Sequence, residues 1–163
     1  GMRRIAPSDN TWSWSAGSDG KRRQGPGRAG LEALAQQEGV AERVFMPGWA
    51  NQPGGLLRAC SAMICPSRHE PLGNVVIEGF SACKPVIAAA SQGPSELIRN
   101  GENGLLAPVE DANALAAQIC TALETPDLAT RMAQAGRRDY ETTYAVTPVL
   151  DAWHKFLSTV EAG

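Results

Sequence analysis

From Val44 onward the chain repeats one pattern: a short apolar run, a break carrying Pro or Gly, then a stretch with helical periodicity. The runs are Val44-Phe-Met46, ended by Pro47-Gly48, and Ala62-Met-Ile-Cys65, ended by Pro66-Ser67. Two more follow: Pro85-Val-Ile-Ala-Ala-Ala90, ended by a loop holding Gly93-Pro94, and Gly104-Leu-Leu-Ala107, ended by Pro108. Runs this short, apolar at successive positions, suit strands buried on both faces in a parallel sheet covered by helices. The segments between them have the length of crossover helices. The pattern predicts an α/β fold with a doubly wound parallel sheet.

The helices carry start and stop signals. Asp111 is placed to cap a helix with Ala112, Leu115, Ala116, Ile119 and Leu123 on its apolar face, and Pro126 ends it while standing at the first position of the next. An amphipathic segment from about Thr147 to Val160 places Val149, Leu150, Trp153, Phe156, Leu157 and Val160 on one side. Upstream, Leu31 to Glu38 reads as helix and Trp12 to Ala16 alternates like a half-buried strand. Between these lies a long Gly-rich basic stretch, Gly17 to Gly30, which matches neither P-loop nor GxGxxG spacing. A mobile solvated connection is the expected role for it, with a phosphate-facing loop as the alternative.

A chain of 163 residues is the length of one domain, and one of this size buries roughly 70% of its unfolded surface without a metal or disulfide staple. We therefore expect a single domain over residues 1–163, with 1–30 atypical and partly disordered and 147–163 forming the closing helix. Fifteen Lys and Arg against 17 Asp and Glu give a net charge of −2, so no global basic field exists to gather nucleic acid. No apolar run approaches the ~20 residues of a membrane span, and the start Gly-Met-Arg-Arg-Ile-Ala-Pro-Ser lacks the apolar core of a signal peptide. A cytoplasmic chain is expected, with Gly1 a remnant ahead of the starting Met2.

Cys60, Cys65, Cys83 and Cys120 match no metal-ligand spacing and lie in apolar stretches, which predicts reduced, buried, inert thiols. His69-Glu70 begins like a zinc-protease motif, but Gly73 stands where the second His belongs and Pro71 breaks the helix. No metal site is expected. His154 reads as a surface or packing residue.

Chemistry concentrates in Pro66-Ser-Arg-His-Glu70-Pro-Leu-Gly73-Asn74-Val-Val-Ile-Glu78-Gly-Phe-Ser81. It reads as a strand end at Cys65, a turn through Pro71 and Gly73, and a helix beginning near Asn74. The carboxyl end of a strand leading into a helix is where ligands sit in such sheets. The helix start offers unpaired N–H groups and partial positive charge, a seat for a diphosphate, and Gly73 has no side chain to obstruct a close approach. Asn74, Glu78 and Ser81 share a polar stripe while Val76, Phe80 and Cys83 face the core. Carboxylates accept hydrogen bonds from hydroxyls, so Glu70 and Glu78 around a diphosphate suit a ribose on one side and a sugar on the other. The bland alternative is a loop–helix corner with a solvated Glu70 and an ordinary exposed Glu78.

Glu70 and Glu78, with seven residues between them in Glu-Pro-Leu-Gly-Asn-Val-Val-Ile-Glu, resemble the Glu-x7-Glu motif of retaining glycosyltransferases with the GT-B fold, above all glycosyltransferase family 4. Arg43-Val-Phe-Met-Pro-Gly-Trp49, Cys83-Lys-Pro-Val-Ile-Ala, Gly93-Pro-Ser-Glu96-Leu-Ile and Asn100-Gly-Glu-Asn-Gly-Leu-Leu-Ala-Pro108 resemble further blocks of that family in the same order. The likeness covers roughly residues 30 to 145.

The resemblance implies one Rossmann-like half of a GT-B fold, the C-terminal half that binds a nucleotide-diphosphate sugar, as part of a hexosyltransferase for a polysaccharide or lipid-linked glycan. It implies Glu78 on the ribose hydroxyls, Glu70 on the donor sugar as the catalytic-site carboxylate, the backbone of Pro71, Leu72, Gly73 and Asn74 on the diphosphate and sugar, and Gly48 near the base. It also implies metal-independent chemistry with no cofactor beyond the donor, a missing N-terminal domain that the last helix would contact, and cytoplasmic placement, peripheral to the inner membrane through the full-length enzyme. The isolated chain would then be inactive and prone to self-association. The family's opening Arg and Lys loop has no counterpart before Trp12, which leaves Lys21, Arg22 and Arg23 as substitutes. A noncatalytic nucleotide-binding or protein-interaction remnant is the competing reading.

Overall fold

The computed structural model describes residues 27–48 and 54–161. The expected strand at Trp12–Ala16, the cations Lys21, Arg22 and Arg23, and Trp49–Ala50 lie outside the described residues. The chain divides into two compact units, Gly1–Cys60 and Ser61–Gly163, each described by itself.

In the first unit, helix α1 runs Arg28–Gln37, so the last residues of the stretch expected as loop form its first turn. A 3-10 turn follows at Ala41–Arg43, and a short helix, α2, spans Gly54–Ala59. The strand expected at Val44–Met46 is not formed. Val44 has extended dihedrals, φ −104° and ψ 115°, but an extended segment becomes a strand only with a ladder partner, and none is present among the described residues. Phe45 is accordingly 63% exposed.

The second unit holds the parallel sheet. Strand β1 is Met63–Cys65, β2 is Val86–Ala89 and β3 is Leu105–Ala107, in the order β1-β2-β3. Met63 pairs with Val86 and Cys65 with Ala88; Ile87 pairs with Leu105 and Ala89 with Ala107. Helices α3 (Asn74–Ser81), α4 (Gln92–Leu97), α5 (Ala112–Glu124), α6 (Pro126–Asp139) and α7 (Val146–Glu161) complete it, with a π-helical turn at Tyr140–Tyr144 between the last two.

Because side chains alternate along a strand, the sheet has two cores. On one face Cys65, Val86 and Ala88 pack with Val76 and Phe80 of α3 and with Ile98. On the other, Ile87 and Leu105 pack with Ala122 of α5 and Met132 of α6, joined by Leu115, Ile119 and Leu128. Central strand β2 is buried throughout, as continuous apolar patterning requires. Helix α6 also reaches α3: a Cβ at Gly136 would lie 2.8 Å from Phe80 Cε1, so only glycine fits there.

The caps behave as their residues dictate. Asp111 accepts a hydrogen bond from Ala114 N–H at 2.8 Å, and Pro126 opens α6. Two expectations need correction. Only Cys65 is a buried thiol; Cys60 and Cys120 are half-buried and Cys83 is exposed. Cys83 turns away from the core because it follows the end of α3 with φ 54°, the left-handed step that commonly ends a helix. The Gly93-Pro94 loop is in fact the first turn of α4, where a proline costs no helical hydrogen bond.

Candidate functional site

The loop Pro66–Gly73 leaves the buried carboxyl end of β1 and turns into α3, whose first residue is Asn74. The turn depends on Gly73. Its φ of 77° is left-handed, and a Cβ there would lie 2.5 Å from Leu97 Cδ1 and 3.2 Å from the Gly93 carbonyl carbon. Gly93 is equally confined, since a Cβ would fall 2.8 Å from the Glu70 carbonyl oxygen. Two glycines thus let the loop and the start of α4 touch backbone to backbone.

Glu70 fastens this corner twice. Its carboxylate Oε1 accepts the Gly73 N–H at 2.9 Å, and its carbonyl accepts the Gly93 N–H at 2.7 Å. The Gly73 carbonyl in turn receives the N–H groups of Val76 and Ile77. The amides of Asn74 and Val75 meet no acceptor among the described residues. Both are donors at a helix N-terminus, where the dipole favours an anion.

The expected site residues are therefore largely brought together. Glu70, Pro71, Leu72, Gly73 and Asn74 form one continuous corner, with Pro71, Leu72 and Asn74 exposed and Gly73 buried. Glu78 lies one turn along α3 from Asn74, exposed and in no ion pair among the described residues. Ser81 on the same stripe spends its hydroxyl on the Glu78 carbonyl at 2.7 Å. Gly48 belongs to the first unit and takes a left-handed φ of 76°. Among the described residues, no group of three or more His, Cys, Asp or Glu could hold a metal ion, and no helix is long and apolar enough to cross a membrane.

One supporting cluster was not expected from the sequence. Asn103 is fully buried; its Oδ1 accepts the Arg99 N–H at 2.8 Å, and its Nδ2 donates to the Leu97 carbonyl at 3.0 Å and to Asp139 Oδ2 at 2.7 Å. Arg99 pairs with Asp139 at 2.9 Å and with Glu102 at 2.9 Å, and hydrogen bonds to these two carboxylates raise its pKa further. This lock ties the end of α4 to α6, while the start of α4 supports the Glu70 loop. The only sequence signal for it is an Asn between turn residues in Asn100-Gly-Glu-Asn103-Gly104.

Comparison with known proteins bears on this geometry. The sequence profile described as "Glycosyl transferases group 1" matches residues 9–139. The lipopolysaccharide core biosynthesis glycosyltransferase LpsD of Rhizobium meliloti is 34% identical over 152 residues, 93% of this chain and 43% of LpsD. The crystal structure of Anabaena HepE in complex with UDP superposes with a TM-score of 0.77 at 26% identity, over 80% of this chain and 36% of HepE. Sucrose-phosphate synthase from Thermosynechococcus elongatus superposes with a TM-score of 0.78 at 31% identity, over 90% and 38%. The chain spans less than half the length of these relatives.

Proposed function

The chain belongs to the glycosyl transferases group 1 family, with the α/β architecture of a Rossmann-like GT-B half, and from that premise we propose that it is the donor-binding C-terminal domain of a retaining family 4 glycosyltransferase. The observation that carries the proposal is the corner at Gly73. It presents two unpartnered amides, of Asn74 and Val75, at the start of α3, with a carboxylate on either side. A diphosphate suits the amides; hydroxyls of a ribose and a sugar suit Glu78 and Glu70.

In this reading the donor is a nucleotide-diphosphate sugar, bound without a metal ion. Structures of HepE with UDP and with UDP-glucose support that class of donor and a hexosyl group, and the likeness to lipopolysaccharide core glycosyltransferases supports a glycan or lipid-linked acceptor. The bond between the anomeric carbon and the diphosphate breaks as an acceptor oxygen attacks the same face. The departing phosphate takes the acceptor proton, and the N–H groups at the start of α3 stabilise the charge that develops on the diphosphate. Glu70 orients the sugar. The acceptor site belongs to an N-terminal GT-B domain, and the whole enzyme works in the cytoplasm, peripheral to the inner membrane.

A thermal-shift screen of UDP-, GDP- and ADP-sugars against the chain tests the proposal. One nucleotide series should raise the melting temperature with saturable dose dependence. No shift with any of them, at concentrations up to the millimolar range, would leave only a noncatalytic module.

A further inference from the structure

Glu78 stands in the last turn of α3, a helix of eight residues. Helices this short do not hold themselves in water, and their end turns open first. The Glu78 side chain is exposed and in no ion pair among the described residues, so its position follows the backbone of that turn. Four carbonyls at the end of such a helix need partners from outside it. Glu78 accepts the Ala82 N–H at 3.1 Å, Phe80 the Cys83 N–H at 3.0 Å and Gly79 the Lys84 N–H at 3.0 Å, a turn closed by the left-handed Cys83. The Ser81 carbonyl falls outside this set, and Nη1 of Arg137 on α6 donates to it. The Ser81 hydroxyl in turn donates to the Glu78 carbonyl at 2.7 Å. The guanidinium therefore reaches the Glu78 backbone through a single residue.

That guanidinium is itself aimed. Its Nε donates to Glu141 Oε1 at 2.7 Å, and its carbon lies 5.3 Å from the Tyr140 ring centroid. Tyr140 packs on the core that holds Val76 and Phe80 of α3, and Gly136, one residue before Arg137, lets α6 come against Phe80. A cation at this end also meets the negative pole of the α3 dipole. We propose that Arg137 is a positioning residue for donor binding: it caps the last turn of α3 and so holds the Glu78 carboxylate in place for a ribose diol. What Glu78 binds rests on the donor-binding reading. The hold on its turn is a property of the chain alone.

The test uses the full chain with Arg137→Met, which keeps the length of the side chain and removes its charge and donors, and with Arg137→Lys. Hydrogen exchange at the Ala82 amide, bonded to the Glu78 carbonyl, reports the turn without ligand; calorimetric titration with UDP reports binding. Arg137→Met should speed Ala82 exchange and weaken UDP, each about threefold to tenfold, because a turn that is open part of the time offers Glu78 to the ligand only for the rest. Arg137→Lys restores a cationic donor and should return both readouts toward wild type. Glu141→Gln, a surface change that removes only the carboxylate steadying the guanidinium, should move both the same way by about twofold. In a Glu78→Ala background, Arg137→Met should still speed Ala82 exchange yet cost no further UDP affinity. Unchanged Ala82 exchange in Arg137→Met overturns the proposal, as does a loss of UDP affinity equally large with and without Glu78, the behaviour of a residue that supports the fold in general. If wild type does not bind UDP while Arg137→Met speeds Ala82 exchange and Arg137→Lys restores it, the hold on the Glu78 turn stands and the donor reading falls. If wild type binds UDP and Ala82 exchange does not move, the reverse holds.

Discussion

Gly73 joins backbone conformation to ligand chemistry in a single residue. A side chain there meets a left-handed φ and the Leu97 methyl at once, so Gly73→Ala should lower stability by roughly 1 to 3 kcal/mol, read as a shift in the urea midpoint. Glu78 contrasts with it, being exposed and partnered by no cation among the described residues. Glu78→Ala should leave folding nearly unchanged yet weaken binding of a nucleotide with a free ribose diol by about tenfold to a hundredfold, the worth of charge-assisted hydrogen bonds; calorimetry on the two proteins decides it. At this scale the sequence was informative about which residues gather but not about what each touches. The spacing of Glu70, Gly73, Asn74 and Glu78 marked the corner. The Glu70 bonds to Gly73 and Gly93 were hidden, because Gly93 reaches the loop only through a contact between backbones distant in sequence.

Among the elements, α4 matters beyond its length. Its start supports the Glu70 loop through Gly93, and its end is held by Asn103 and Asp139. Asn103→Ala would leave the Arg99 N–H and the Leu97 carbonyl without their side-chain partner, which should cost about 1 to 3 kcal/mol in chemical denaturation. Strands and long helices were legible because burial on two faces and the 3.6-residue period leave a pattern: β1, β2, β3, α5, α6 and α7 fall where the apolar runs and caps put them. Val44–Met46 carried the same apolar signal and formed no strand, since composition cannot supply a ladder partner. Cys83 misled for the opposite reason, its apolar neighbours concealing a left-handed step at the end of α3.

For the whole molecule the conspicuous feature is α7. Val146, Val149, Leu150, Trp153, Phe156, Leu157 and Val160 are all exposed, with Trp153 57% exposed and set edge-to-face against Phe156 at 6.0 Å. An apolar stripe of this kind marks an interface. In the proposed enzyme the N-terminal domain covers it; without that domain the chain should self-associate, and Trp153→Glu should lower the weight-average mass measured by sedimentation at equal concentration. Residues 1–163 on their own should be unable to transfer sugar, since orienting donor and acceptor together contributes about 7 to 11 kcal/mol that one wall of a cleft cannot supply; a radiolabelled-donor assay with glycan acceptors should detect no product. The central claim, a nucleotide-diphosphate seat at the start of α3, is tested most directly by following backbone amide resonances during titration with UDP. The account predicts saturable shifts concentrated at Gly73, Asn74 and Val75 and along the Glu78 turn. Saturation that moves other amides while these stay fixed would contradict it.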